Sequence, residues 1–136
     1  MILVDSSVWI DYFRGDSTPE ADRLDALLGG NLLVTGDLVL AEVLQGFQRE
    51  SEFNKVMQLL TSVSVVVLGG REAAIQAARN FRTLRALGVT GRKTIDTVIA
   101  TRCIMDGHEL LYSDRDFDPF VRHLGLQYAM DGNKYS

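Results

Sequence analysis

Two aspartates stand just beyond apolar runs that have the character of buried strands. Asp5 follows residues 1–4, and Asp114 comes two residues after the run 109–112. The carboxyl ends of parallel strands meet at one edge of a sheet, and the working site of such proteins lies beyond that edge. The sequence therefore predicts that both carboxylates lie where chemistry takes place.

Two further acids lie on predicted helices beside apolar residues. Asp96 is in the first turn of the helix predicted for residues 94–106, where its neighbours at helical spacing are mostly apolar. Glu42 lies on the helix predicted for residues 38–48, and its face of that helix is not plainly polar. A charge that points inward is costly unless it is paired or coordinates a metal.

A cation is the simplest partner for these four acids. Several carboxylates that converge on one spot cannot all remain ionised without one. Their hard oxygen atoms favour Mg²⁺ or Mn²⁺ over zinc, which calls for histidine or cysteine. His108, His123 and Cys103 lack the spacing of ligands. Such a site predicts phosphodiester hydrolysis, because metal ions activate a water and stabilise charge on phosphorus.

Each acid also has a simpler structural explanation. Asp5 could cap the first helix, and Asp96 could complement the dipole of its own helix. Asp114 could be a turn residue, and Glu42 could be a glutamate at a helix edge. The prediction of a metal site therefore depends on all four residues together.

A basic stretch precedes Asp96 in the sequence. Six basic residues and one acid lie from Arg71 to Lys93, although the net charge of the chain is −4. An acidic protein with one basic stretch can still hold a phosphate backbone locally. The residues predicted to form this basic rim are Arg82, Arg85, Arg92 and Lys93. A solvated helix face is the alternative explanation.

Size and composition predict one domain covering residues 1–136. With 46% hydrophobic residues, a chain of 136 residues can bury a substantial core. One cysteine excludes an internal disulfide framework and fits a reducing compartment. No apolar run reaches the roughly 18 residues that a membrane span requires, and the first residues lack a basic segment. We therefore expect a cytoplasmic protein with no membrane association.

Short apolar runs alternate with longer amphipathic segments. Strands are predicted for residues 1–4, 32–35, 63–68, 109–112 and 126–129, with 63–68 a buried strand. The first predicted helix follows a cap at Ser6 or Ser7, and the second runs from Pro19 to residue 28. The third covers residues 38–48 with Asp37 as its cap, the fourth runs from 51 to 60, and the fifth runs from 70 to 87. The sixth covers residues 94–106 with Thr94 as its cap. This alternation predicts an α/β fold, a three-layer α/β/α sandwich with a central, mostly parallel sheet of four to five strands.

The segments that carry these acids resemble the motifs of one family. ILVDSSVWIDYF, at residues 2–13, resembles the opening of PIN domains of the VapC toxin type. LVLAEVLQGF resembles the second motif of that family, whose glutamate falls on Glu42. TIDTVIATRCIMDGHELLYSDRDFD resembles the third and fourth motifs together and places their acids at Asp96 and Asp114, with Asp116 as an accessory acid. The resemblance covers residues 2 to about 126, with all motifs in order.

The resemblance implies a Mg²⁺- or Mn²⁺-dependent endoribonuclease that cleaves single-stranded RNA. The implied catalytic acids are Asp5, Glu42, Asp96 and Asp114. The implied metal ligands are Asp5, Asp96, Asp114 and Asp116, with Ser7 as an accessory hydroxyl near the metal. The basic rim then becomes the RNA-binding surface. One departure is Tyr112, because a threonine is more usual in the family before the fourth acid.

The resemblance also implies biological partners. Proteins of this type act as the toxin of a toxin–antitoxin pair that inhibits translation, are usually dimers, and are silenced by a small VapB-like antitoxin. The antitoxin tail lies along the helices that correspond to residues 38–60. The apolar residues implied as antitoxin contacts are Phe47, Phe53, Val56, Met57 and Leu60. Plain core packing is the alternative explanation for them.

Three other classes of protein share some of these features. A receiver domain needs an acidic pair near its start and a lysine after its last strand, whereas the early acids here flank a helix-like stretch and the only late lysine is Lys134. A haloacid-type phosphatase needs a second aspartate two residues after the first, where this chain has Ser7. A catalytically silent module that binds nucleic acid or antitoxin is the third, and the intact acids argue against it.

Overall fold

Parallel strands form the centre of the fold. The computed structural model describes residues 1–91 and 93–130. Its strands are β1 (Ile2–Val4), β2 (Leu33–Gly36), β3 (Ser64–Val66), β4 (Glu109–Leu111) and β5 (Gln127–Tyr128). Every pairing between them is parallel, and the order across the sheet is β3-β2-β1-β4-β5. The direction of strand order therefore reverses beside β1, where β4 is its other neighbour.

The helices pack in two groups. They are α1 (Ser6–Arg14), α2 (Pro19–Leu27), α3 (Asp37–Leu44), α4 (Glu50–Thr61), α5 (Arg71–Ala86), α6 (Thr94–Asp106) and α7 (Asp118–Leu124). Helices α1 to α4 contact one another, and so do α5 to α7. Right-handed crossovers between parallel strands explain this division. From β1 to β3 the chain crosses the sheet in one direction, which places its connecting helices on one face. From β3 to β5 it crosses in the opposite direction, which places the later helices on the other face. The predicted α/β/α sandwich with a parallel sheet is confirmed.

Strands β1 and β4, which are neighbours in the sheet, lie in the core of the molecule. In β1, Leu3 and Val4 have no exposed surface, and Leu110 and Leu111 in β4 have none either. A strand covered by helices on both faces has no solvent side, so its sequence is continuously apolar rather than alternating. No helix in the described part of the chain has the length and apolar character needed to cross a membrane.

Helix starts differ in detail from those that the sequence predicts. The cap of α1 is not Ser6 or Ser7 but Asp5, as the alternative explanation of that residue predicted. Gly36, not Asp37, occupies the cap position of α3, which begins at Asp37 and ends at Leu44, four residues before its predicted end. The Asp37 carboxylate accepts hydrogen bonds from the backbone N–H of Leu38 (2.8 Å) and of Leu68 (3.0 Å), so it ties α3 to the chain beyond β3.

The start of α6 is also one residue from its predicted place. Lys93 occupies the cap position without a side-chain hydrogen bond, and Thr94 is the first helical residue. The hydroxyl of Thr97 donates to the Lys93 carbonyl over 3.1 Å. A threonine in the first turn therefore satisfies a backbone group of the cap residue, which is a different contact from the one predicted for Thr94.

The prediction that the β-branched run 63–68 is a buried strand is wrong. Only Ser64–Val66 form a strand, and it lies at the edge of the sheet. Val65 is 44% exposed, and Val67 just beyond it is 67% exposed. β-Branched residues indicate an extended backbone, but they do not reveal how many neighbours the strand has. An edge strand has one neighbour, so part of its apolar surface remains open.

Gly36 provides a test of how tightly β2 packs against the segment after β3. A Cβ atom at this position would overlap the side chain of Leu68, which is fully buried. We expect Gly36→Ala to lower the free energy of unfolding by about 1–3 kcal/mol, because the core must shift to admit a methyl group. Urea unfolding followed by circular dichroism measures this loss.

Gly69→Ala is the matched control for this substitution. A Cβ atom there meets nothing within 4 Å, so we expect a change of less than about 0.5 kcal/mol. Equal losses for the two variants would show that the contact with Leu68 does not determine the cost.

Candidate metal-binding and active site

Three carboxylates converge beyond the carboxyl edge of the sheet. Asp96, Asp114 and Asp116 each offer one oxygen atom, and these three oxygens all lie within 4.8 Å of one another. Asp114 begins a short 3-10 turn (Arg115–Phe117), where its side chain accepts the backbone N–H of Asp116 over 2.9 Å. The turn therefore brings two carboxylates to the same place and fixes one of them. A single divalent ion can be reached from all three residues.

Asp96 is the least satisfied member of this cluster. It is 7% exposed, and its Oδ2 atom is buried with no hydrogen-bond partner in residues 1–91 and 93–130. A buried polar atom without a partner costs free energy, and in native proteins such an atom usually has a role. A divalent cation with oxygen ligands would satisfy this oxygen. The donor set, entirely carboxylate, fits Mg²⁺ or Mn²⁺.

Electrostatics around Asp96 show how strongly the acids repel one another. The pKa of Asp96 is raised to about 6, first by burial and then by the charges of Asp5, Asp114 and Glu42, in that order. Lys93 acts in the opposite direction and lowers this pKa. The four acids predicted from the sequence are therefore near enough to influence one titrating group.

Asp5 has two roles in the structure. It caps α1 by accepting the Ser7 backbone N–H (3.2 Å), and it also accepts the Ser7 hydroxyl (2.6 Å). It is 3% exposed, and burial raises its pKa although the hydrogen bonds from Ser7 lower it. The group of oxygens that lie within 4.8 Å of one another does not include Asp5, but Asp5 is the charge with the largest effect on the pKa of Asp96, so it lies beside this group.

Hydroxyl groups link the acids to one another, and most of these links were not predicted. Ser6 donates to Glu42 over 3.3 Å and thereby connects the start of α1 to α3. Ser113 donates its hydroxyl to Asp11 over 3.4 Å. Its backbone N–H is 3.5 Å from the Ser7 oxygen. Only Ser7 was predicted among these hydroxyl residues. The others have no local signal, because their partners are distant in sequence.

Helix α6, which carries Asp96, is held in place by Arg102. Its guanidinium donates to the carbonyls of Leu68 (3.1 Å) and Gly69 (2.8 Å), at the turn before α5. It also reaches Asp106 on its own helix at 3.2 Å. A planar guanidinium carries five N–H donors in a fixed geometry, whereas the ammonium group of a lysine has three on a flexible stem. Arg102 is therefore a structural anchor for the helix that positions the buried acid.

Tyr112 explains how the site tolerates a departure from the family pattern. Its side chain is fully buried and packs against the rings of Phe117 and Tyr128. Its hydroxyl donates to Asp118 over 2.8 Å. The tyrosine therefore points into the core beside the 3-10 turn, and the acids of the cluster keep their places.

The predicted basic rim divides into two parts. Lys93 lies near enough to Asp96 to lower its pKa. Arg82 and Arg85 are exposed on α5, where they line an open groove together with Arg79. Arg92 lies outside the described residues. Arg79 was not among the predicted rim residues, although helical spacing from Arg82 could have indicated it.

The apolar residues predicted as antitoxin contacts also divide. Leu60 is fully buried and Val56 is 6% exposed, so both belong largely to the core. Phe47, Phe53 and Met57 are half-buried. Two adjoining cavities form a groove, here called the Phe47 groove, whose lining includes Phe13, Phe47, Val56 and Leu59, with Glu42 at one end. This groove connects the apolar surface of α4 with an acid of the site.

Comparison with known proteins places the chain in a family. The model of the PIN domain matches residues 2–121. The chain therefore belongs to the PIN-domain family, as the motifs of the sequence predict.

Individual relatives agree with this assignment. A VapC ribonuclease of Mycobacterium bovis and ribonuclease VapC11 of Mycobacterium tuberculosis are each 28% identical over 131 residues, which cover 95% of this chain and 98% of theirs. A chain of the VapBC2 structure from Rickettsia felis, solved with a promoter DNA fragment, matches with a TM-score of 0.73 at 16% identity. The match covers 94% of this chain and 97% of that chain. The VapBC-1 structure of nontypeable Haemophilus influenzae has a TM-score of 0.69 at 22% identity, covering 94% and 96%. The solved structures have the same fold as this chain, and the relatives found by sequence are named VapC ribonucleases.

The raised pKa of Asp96 predicts how stability depends on pH in the metal-free protein. The carboxyl ionises near 3.8 in the unfolded chain and at about 6 in the fold. As the pH rises, the unfolded chain loses its proton first, so stability falls between these two values and remains low above them. We expect Asp96→Asn to remove this fall and to stabilise the protein at pH 8 by up to about 3 kcal/mol.

Unfolding in EDTA at a series of pH values measures this effect. The two proteins should be similarly stable near pH 4, and the variant should be the more stable above pH 6. A variant that is less stable than wild type at pH 8 would contradict the proposed repulsion.

Proposed function

We propose that this chain is an endoribonuclease that depends on Mg²⁺ or Mn²⁺ and cleaves single-stranded RNA. The observation that carries the proposal is the convergence of one oxygen each from Asp96, Asp114 and Asp116 within 4.8 Å, together with a buried Asp96 oxygen that has no hydrogen-bond partner among the described residues. The relatives named VapC ribonuclease support an RNA substrate. Carboxylates that hold a divalent cation are one arrangement that catalyses phosphodiester hydrolysis.

Asp96, Asp114 and Asp116 are the residues that would hold the cation. When bound, the cation supplies positive charge that polarises the phosphate and lowers the pKa of a nearby water. Asp5 lies beside this cluster and contributes negative charge that strengthens the attraction for a cation. Because Ser7 donates to it over 2.6 Å, the Asp5 carboxylate is held in one orientation.

The remaining residues of the site position the substrate. Lys93 is exposed at the start of α6 and provides a cation for the phosphate that approaches the acids. Without such a charge, the acids would repel an RNA strand. Glu42 is oriented by the Ser6 hydroxyl and lies at the end of the Phe47 groove, where its carboxylate can accept a proton from an attacking water.

We further propose that the enzyme is the toxin of a toxin–antitoxin pair and inhibits translation by cleaving RNA. Solved structures with this fold include the toxin–antitoxin complex of Klebsiella pneumoniae, with a TM-score of 0.65. The Phe47 groove is the proposed binding surface for a small VapB-like antitoxin. Its apolar walls suit an amphipathic or extended segment, and its charged residues, Glu42 and Glu52 with Arg14 and Lys55, carry both signs. The active form is proposed to be a homodimer.

Cleavage of single-stranded RNA tests the proposed chemistry. We expect wild-type protein to cleave a mixed-sequence RNA with Mn²⁺ or Mg²⁺ and to be inactive in EDTA. Asp96→Asn should lower kcat/KM by about 100-fold or more, because a cation ligand is lost. The measurement is gel analysis of end-labelled RNA.

Asp22→Asn is the control, because Asp22 is exposed on α2. Thermal melting adds a reading that does not depend on activity: Mn²⁺ should raise the Tm of wild type and of Asp22→Asn, but raise that of Asp96→Asn far less. Cleavage that persists in EDTA, or that is unchanged in Asp96→Asn, would refute the metal-nuclease proposal.

Growth inhibition tests the proposed antitoxin surface. Expression of the chain should arrest growth, and co-expression of the short reading frame beside its gene should relieve the arrest. Phe47→Glu should remain toxic but escape relief, because a charge in the apolar groove opposes partner burial. Val67→Glu, at an exposed position outside the groove, should still be relieved. Equal relief of both variants would exclude the Phe47 groove as the binding surface.

A further inference from the structure

A cavity separate from the Phe47 groove lies between helices α5 and α6. Its volume is about 390 Å³, within the range of small-molecule pockets. Its lining is mostly apolar and includes Ala74, Ala78, Phe81 and Val98, with Arg82 and Thr94 among the polar groups. We propose that this cavity is a subsite for one nucleobase of the RNA substrate. The inference rests on the proposed ribonuclease function and extends it to substrate recognition.

The charges around the cavity favour a polyanion. Arg82 lines this cavity and also the open groove that holds Arg79 and Arg85. All three side chains are exposed, and no carboxylate in residues 1–91 and 93–130 forms a salt bridge with them. In a chain with a net charge of −4, they form a local positive surface. Such a surface binds phosphates by releasing counterions.

The cavity has groups that can bind a nucleobase next to the surface proposed to bind phosphates. Phe81 offers an aromatic ring, and Arg85 lies 5.9 Å from the centre of that ring. Thr94 is exposed at the rim, where its hydroxyl can bond with the polar edge of a base. An aromatic surface combined with a cationic groove is the usual means by which proteins hold single-stranded nucleic acid.

The position of the cavity relates it to the acids. Thr94 and Val98 lie about 160–200° around α6 from Asp96, and Thr97, which also lines the cavity, lies about 100° from it. The cavity and the buried acid are therefore on different sides of the same end of α6, within about one helix diameter (10–12 Å) of each other. An RNA strand that passes over Lys93 can place a phosphate beside Asp96 and a base a few nucleotides away in the cavity.

A second copy of this chain is a poorer occupant than RNA. A symmetric dimer through this face would bring the same patch of each copy together. Arg79, Arg82 and Arg85 of one copy would then oppose the same three residues of the other. Like charges that face one another across an interface are unfavourable. The charge of the rim therefore selects the nucleic acid.

Filling the cavity tests this subsite. Ala78 is exposed on α5, so Ala78→Leu adds bulk to the cavity without disturbing the core. We expect KM for single-stranded RNA oligonucleotides to rise about tenfold with Mn²⁺ present, with kcat unchanged, because base stacking is lost. Ala26→Leu, at an exposed position on α2, is the matched control and should leave KM unchanged.

A series of oligonucleotides that each carry one abasic nucleotide locates the base. One abasic position, a few nucleotides from the cut, should raise the wild-type KM as much as Ala78→Leu does. It should raise the KM of Ala78→Leu no further, because both changes remove the same interaction. Arg82→Gln should lower the slope of log KM against log salt by about 0.7, as expected for one lost phosphate contact with a single strand.

The outcomes separate this inference from the proposed function. If wild-type protein does not cleave RNA, the ribonuclease proposal fails and the subsite fails with it. If wild type cleaves and Ala78→Leu has an unchanged KM, only the subsite is overturned. An Ala78→Leu variant that alters the mass of the protein in solution but not KM would identify the cavity as an interface between copies, which also overturns the subsite. Ala74→Leu fills the same cavity and replaces Ala78→Leu if that variant does not give a wild-type circular dichroism spectrum.

Discussion

Repulsion among carboxylates at the end of a buried sheet is the constraint around which this structure is organised. Asp96 has an oxygen atom in the interior with no donor in the described part of the chain, and burial together with three neighbouring acids raises its pKa to about 6. A fold does not gain stability from such an arrangement. The sheet and its covering helices must supply enough free energy to offset it. A site that is costly in the empty protein is a site prepared to attract a cation.

The topology explains how residues that are far apart in sequence reach one place. Strands β1 and β4 are neighbours although more than a hundred residues separate them, and Val4 is in register with Leu111. Their chain ends therefore lead into the same space beyond the sheet, at the reversal of strand order. Asp5 follows one strand, and Asp114 follows the other. Helix α6 brings Asp96 to the same space, and Arg102 holds that helix against the turn before α5.

The features that could be predicted from the sequence are those with a local signal. Short apolar runs that end in an acid indicate strand ends, so the placement of Asp5 and Asp114 was predictable. The burial of Asp96 followed from its apolar neighbours on one helix. By contrast, the exposure of Val65 depends on the order of strands in the sheet, which periodicity does not reveal. The bond between Ser6 and Glu42 joins residues 36 apart, and no pattern within either segment indicates it.

Asp5 and Asp116 differ in how much of the fold depends on each of them. Asp5 ends a strand, caps a helix and carries charge in the site, so a substitution there damages the fold together with the chemistry. Asp116 is exposed, and only its backbone N–H is engaged in the turn. A substitution of Asp116 therefore leaves the strand, the helix cap and the core untouched, whereas one of Asp5 alters every element that meets there.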